Sequence, residues 1–147
     1  MSDVTNPKLV GTWRLVSFES RGSGGEITYP LGKEAVGQIT YGPEGRMAVL
    51  IVQADRPAFA SGDMRRGTDA EVRSAFEGII GYFGTYTIDA AAGTVTHHVE
   101  GAAFPNWMGG DQVRFFKLEG SRLTLSTPPF LYDGQRITSV LVWERVE

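Results

Sequence analysis

Two histidines stand side by side at positions 97 and 98, in the stretch HHVEGAAFPNW, and the chain of 147 residues has no others. Imidazole exchanges a proton near neutral pH and ligates metals through an unprotonated nitrogen, so this pair is the first candidate for chemistry. The surrounding VTHHVE reads as a strand, where neighbouring side chains point to opposite faces. His97 and His98 therefore do not chelate one metal from the same face. Glu100 shares a face with His98, but one carboxylate and one imidazole fall short of a ligand set. The expectation is no metal and no resident cofactor. Val95, His97 and Val99 form one face of the strand, and Thr96, His98 and Glu100 the other. The apolar face suits a packed side, whereas in a barrel that holds a ligand polar residues also point inward. His98 is taken as the cavity residue, with His97 as the alternative.

Other chemistries find less support. The serines lack a Gly-x-Ser-x-Gly context. GPEGR (42–46) and GSGGE lack both the Lys-Ser/Thr ending and the strand-to-helix setting of a phosphate loop. Glu26, Glu34, Asp55 and Asp111 fall in predicted loops, where solvation is expected. Arg114 is more informative, because it sits mid-strand on the face shared with Phe116 and Leu118. A guanidinium there is suited to anchoring a carboxylate or enolate inside a barrel; the alternative is an outer position, its stem lying over apolar surface.

The elements that must position these residues are mostly strands. LVGTWRLVSFES (9–20) alternates and is rich in β-branched and aromatic residues. Residues 35–53 predict two strands around Gly-Pro-Glu-Gly, 81–89 and 93–101 a hairpin turning at Ala-Ala-Gly, and 111–129 another turning at Glu-Gly-Ser. RITSVLVWERVE (136–147) closes the series. Eight strands joined by short turns predict an antiparallel up-and-down barrel, which removes the exposed sheet edges. One short helix, about 69–80, interrupts between the third and fourth strands: Thr68 and Glu71 have capping-box spacing, and Val72, Phe76, Ile79 and Ile80 make one apolar stripe. The preceding ADRPAFASGDMRRG (54–67) is long enough for a binding loop, placed with the helix near an entrance.

Composition bounds the partners. Hydrophobic residues at 41% and charged residues at 21% suit a single globular domain over 1–147. The formal net charge is −3 with scattered basic residues, which argues against nucleic acid. Cysteine is absent, so disulfides, thiolate metal sites and thiol nucleophiles are excluded. MSDVTNPK has no apolar leader core and no stretch is long enough for a membrane span, from which a cytoplasmic location is expected.

Gly11-Thr12-Trp13 on the first strand and Arg145 near the end of the last resemble the lipocalins. YPLGKEAVGQITYGPEGRMAVLI, VTHHVEGAAFPNWMGGDQVRFF and LTLSTPP are similar to the lipocalin-like domain family of small cytosolic bacterial and fungal proteins, over Leu9 to Val146. The resemblance implies a calycin-type barrel in which Gly11, Trp13 and Arg145 close one end, Arg145 over Trp13, and a cavity that takes one small molecule. Within that frame Tyr86, His98, Phe104, Trp107, Arg114, Phe116 and Trp143 are the expected ligand-binding residues, with Phe104, Trp107 and Pro128–Phe130 rimming the mouth. The expected function is binding of a small, hydrophobic or aromatic molecule by a carrier or sensor. The alternatives are an isomerase or cyclase working on a hydrophobic intermediate in the same cavity, and a packed barrel mediating protein association, its own copy included as a homodimer.

Overall fold

A strand with one apolar and one polar face is stable only when the apolar face is covered, and eight such strands cover one another by closing into a cylinder. The computed structural model describes residues 8–147; the segment 1–7, where the leader was sought, lies outside the described residues. The strands are β1 (Gly11–Arg21), β2 (Ile27–Thr28), β3 (Val36–Tyr41), β4 (Arg46–Val52), β5 (Ile79–Asp89), β6 (Thr94–Ala102), β7 (Asp111–Glu119), β8 (Arg122–Ser126), β9 (Phe130–Tyr132) and β10 (Gln135–Arg145). Helix α1 (Asp69–Glu77) lies between β4 and β5, and a 3₁₀ turn, η1 (Pro105–Trp107), between β6 and β7. Pairing runs β1-β3-β4-β5-β6-β7-β8-β10 and returns to β1, all antiparallel, while β2 and β9 hang on β1 and β10. Among the described residues this is a closed barrel of eight strands with two short additions.

The short additions shift the count. The helix falls between β4 and β5 rather than between the third and fourth strands, because the two-residue β2 is too short to leave a periodic signal. The helix is also shorter than the expected 69–80. Ile79 and Ile80 leave it and pair with Val52 and Ile51 of β4; β-branched residues that find a strand partner are better placed in the sheet than in a last helical turn. The capping box forms, with Thr68 Oγ1 accepting from the Glu71 N–H at 3.1 Å and Glu71 Oε1 accepting from the Thr68 N–H at 2.9 Å. Glu71 Oε2 further accepts from the Ala60 N–H at 2.8 Å, and Arg56 Nη1 donates to Ala75 O at 3.1 Å, so the 54–67 loop is tied to the helix.

Opposite ends of the barrel differ. The β3–β4, β5–β6 and β7–β8 hairpins gather at the end where Trp13 pairs with Arg145. Trp13 is fully buried, its Nε1 donating to Leu9 O at 3.0 Å. The Arg145 guanidinium lies 4.2 Å over the Trp13 ring and donates to the Val10 and Lys8 carbonyls. Gly11 is required beneath it, since a Cβ there would collide with Arg145 Nη1, and its φ of 139° is disfavoured for other residues. The other end is framed by α1, η1 and the segment 127–133.

Candidate functional site

Inward-facing side chains leave a cavity of about 1080 Å³ between these ends. Its wall is built by alternation. β10 contributes Ile137, Ser139, Leu141 and Trp143, every second residue, and β7 contributes Gln112 and Arg114. Leu31, Ile39, Ile51 and Leu125 add apolar surface, and Phe76, Phe104, Trp107, Phe130 and Tyr132 stand at the open end.

Rings run from this mouth toward the closed end. Phe76 meets Phe104 at 6.5 Å, Phe104 meets Trp107 at 5.3 Å, and Trp107 meets Tyr82 at 5.8 Å, all edge to face. Tyr82 and Tyr41 flank His97, each with centroids 5.6 Å from it, and Tyr41 meets Tyr86 at 4.8 Å. Such edge contacts hold each ring in a fixed orientation.

At the centre of this ladder is His97, not His98. His97 lies on the cavity wall and is buried among Tyr41, Tyr82 and Tyr86. Its Nε2 is 2.6 Å from Tyr41 Oη and its Nδ1 2.7 Å from Tyr82 Oη. Burial lowers its pKa to about 3, with Arg114 and His98 charges acting in the same direction, so the ring is neutral. Burial likewise raises the Tyr41 and Tyr82 phenols, although Arg114 pulls against that on both. His98 lies on the outer face, its Nε2 3.0 Å from Thr87 Oγ1 and its Nδ1 2.8 Å from Asp111 Oδ1. The choice of His98 as the cavity residue is thus corrected: the apolar rule for the Val95–His97–Val99 face wins, because two phenols satisfy both nitrogens of the buried ring. Asp111, expected in a loop, opens β7 and holds His98.

The other expected residues divide. Phe104, Trp107, Arg114 and Trp143 lie on the cavity wall. Tyr86 does not: it is buried beside Tyr41 below the cavity, its hydroxyl donating to Gly42 O at 2.7 Å. Phe116 packs against the core away from the wall. Arg114 is half-buried and inward, donating to Val113 O at 2.9 Å and Gln112 Oε1 at 3.0 Å. Trp143 Nε1 is buried without an acceptor. Ser20 and Ser139, opposite each other on β1 and β10, share a 2.7 Å hydroxyl contact on the wall. The 54–67 loop supplies no wall residue, whereas α1 supplies Phe76 and Glu77.

Reading from sequence missed the Tyr41–His97–Tyr82 trio. The available signal was the parity of positions: His97 pairs with Tyr86 across the β5–β6 ladder, and Tyr82 shares a face with Tyr86. Among the described residues no group of three or more His, Cys, Asp or Glu side chains could hold a metal, and no helix is long and apolar enough to cross a membrane.

Known proteins place this barrel. No solved structure matches the chain. A 4'-hydroxy-3'-methoxypropiophenone carrier protein of Aspergillus oryzae is 30% identical over 107 residues, covering 68% of this chain and 96% of the relative. The family described as lipocalin-like domain is matched over residues 10–146, which takes in every barrel strand, and the chain with its closed end under Arg145 and its cavity around His97 belongs to that lipocalin-like family.

Proposed function

We propose that the protein binds a small, flat, largely apolar molecule in the barrel cavity and serves as its carrier. The observation that carries this reading is the cavity of about 1080 Å³, walled mostly by apolar side chains and lined with rings from Phe76 inward to Tyr82. Cavities of this kind hold one small ligand with a few polar groups fixing its orientation. The relative named as a carrier of an aryl ketone supports the same class of guest. A barrel packed solid for protein association would not enclose this volume. We place the role in the cytoplasm, an assignment that cell fractionation checks.

Native mass spectrometry of the protein after incubation with extract from its own host tests the reading. A stoichiometric, unchanged adduct of an aromatic or apolar compound is the expected result. A compound consumed without a lasting adduct supports the isomerase alternative, for which a Tyr82 hydroxyl against a neutral imidazole is the structural motive. No adduct and no consumption, over several growth conditions, overturns the carrier reading.

A further inference from the structure

We propose that the cavity recognises its guest by an acceptor oxygen, of the carbonyl or carboxylate kind, which takes the hydroxyl proton of Tyr82 and an N–H of Arg114, with Tyr41 and His97 as positioning residues that keep the Tyr82 proton free. The inference rests on the binding reading above and adds the chemistry of the recognised group.

It follows from counting protons. Tyr41, His97 and Tyr82 are joined by two short hydrogen bonds, at 2.6 and 2.7 Å. A neutral imidazole brings one proton and the phenols bring two, so one of the three protons has no place within the trio. The ring is neutral, with its pKa near 3, and therefore donates from one nitrogen and accepts at the other. If Tyr82 donated to Nδ1, the unused proton would belong to Tyr41. Tyr41 is fully buried, is absent from the cavity wall, and makes no other hydrogen bond among the described residues. If instead Tyr41 donates to Nε2, then Nδ1–H donates to Tyr82 Oη and the unused proton belongs to Tyr82, which lies on the wall. A buried donor without a partner is the costlier state, so the second arrangement prevails.

Among the described residues the Tyr82 hydroxyl finds no acceptor besides His97. Arg114, whose charge and donated side-chain hydrogen bond both act on the Tyr82 oxygen, has only donors, so it leaves the Tyr82 proton unclaimed. The guanidinium is half-buried and its acceptors are neutral, the Val113 carbonyl and the Gln112 amide; it forms no ion pair among the described residues. A five-donor cation whose bound acceptors are neutral retains capacity for a charge-assisted bond. The wall thus presents donors from two strands, β5 and β7, and the complementary guest presents a lone pair.

The test uses three probes on the full chain: propiophenone, propylbenzene (the same skeleton with a methylene in place of the carbonyl) and 3-phenylpropanoate. Calorimetric titration of the wild type is expected to show propiophenone binding about tenfold tighter than the more apolar propylbenzene. Tyr82→Phe abolishes that preference while propylbenzene still binds. Arg114→Met weakens 3-phenylpropanoate more than propiophenone, which assigns the ionised oxygen to the guanidinium. Tyr41→Phe lowers the ketone preference with Tyr82 intact, because nothing then donates to Nε2 and the ring is no longer held in the one tautomer that leaves the Tyr82 proton free. A ¹⁵N–¹H correlation spectrum of the His97 ring reads this directly: the proton sits on Nδ1 in the wild type and is shared between Nδ1 and Nε2 in Tyr41→Phe, a change that loss of packing alone does not produce. Should Tyr41→Phe fail to fold, the wild-type spectrum and Tyr82→Phe still decide. Equal affinity of the wild type for propiophenone and propylbenzene, or a wild-type ring protonated at Nε2, overturns the inference and leaves the binding reading standing. Failure of all three probes to bind, when host extract also yields no adduct, removes both.

Discussion

The closed end and the mouth of the barrel use the same kinds of residue to opposite effect. At the closed end Trp13, Tyr41 and Tyr86 are each wholly buried, and each polar atom has its partner: Trp13 Nε1 on Leu9 O, Tyr41 Oη on His97, Tyr86 Oη on Gly42 O. At the mouth Phe76 is 48% exposed, Phe104 38% and Leu131 71%. Apolar side chains left in water contribute little to folding, and grouped around an opening they mark a surface that another molecule covers. One end therefore holds the barrel shut and the other is kept for a guest.

The sharpest way to break this division is at the closed end. Trp13→Ala removes a fully buried ring together with the platform under Arg145, and should destabilise by about 3–5 kcal/mol. For a chain of this length that is a fall in Tm of roughly 10 °C or more, measured by calorimetry. A loss no larger than that of a mouth residue would mean the two ends are not specialised.

The next effect is a pH dependence carried by His97. His97 has a folded pKa near 3, below the unfolded value of about 6.5, so between those limits the unfolded chain binds the extra proton. Its contribution is complete above about pH 6.5 and is lost as pH falls toward 3, by about 3 kcal/mol at pH 4.5. Denaturant unfolding at pH 7 and pH 4.5 reads the loss. His97→Gln keeps the carboxylates that also titrate in this range but removes the histidine, so its loss should be smaller by that amount. Identical pH slopes for the two proteins would defeat the assignment.

A smaller effect is expected where the strands come closest. The β5–β6 register slips between Phe83 and Gly84, and a Cβ at Gly84 would overlap the carbonyl oxygen of His98. Gly84→Ala should cost about 1–3 kcal/mol, because backbone rather than a pliable side chain must give way. Since β6 also carries His97, the displacement should be visible as a changed His97 ring spectrum. An unchanged spectrum with unchanged Tm would show that the bulge absorbs the methyl group.

How far these features were legible in the sequence follows from their range. The barrel strands were legible because alternation is a property of each segment by itself, and so was the Thr68–Glu71 capping box, which spans one helical turn. The lower limit of α1 was legible and its upper limit was not: Ile79 and Ile80 fit the helical stripe, and only pairing with β4 takes them out of it. The histidines failed for a related reason. Alternation established that one of the two faces inward, but the winner depends on Tyr41, 56 residues away, which accompanies Tyr82 in satisfying the ring. Phe116 shares its strand face with Arg114, yet only Arg114 reaches the cavity, since the curvature of the closed barrel carries Phe116 into the packed core.

Phe76→Ala tests the mouth and should have the smallest effect on stability. Helix α1 has no buried residue, and Phe76 is half in water, touching Phe104 only edge to face at 6.5 Å. The ring contact contributes about 0.5–1.5 kcal/mol, and alanine returns a few tenths of a kcal/mol through its better helix propensity. The net loss should stay under about 1 kcal/mol, a shift of only a few degrees in Tm. Affinity for a flat aromatic probe such as propiophenone should nevertheless fall several-fold, since the ladder of rings loses its outermost member. The comparison with Trp13→Ala then becomes quantitative: one ring matters to folding and little to the guest, the other to the guest and little to folding. If Phe76→Ala lowered Tm as far as Trp13→Ala while leaving affinity untouched, the helix would be part of the core and the mouth would lie elsewhere.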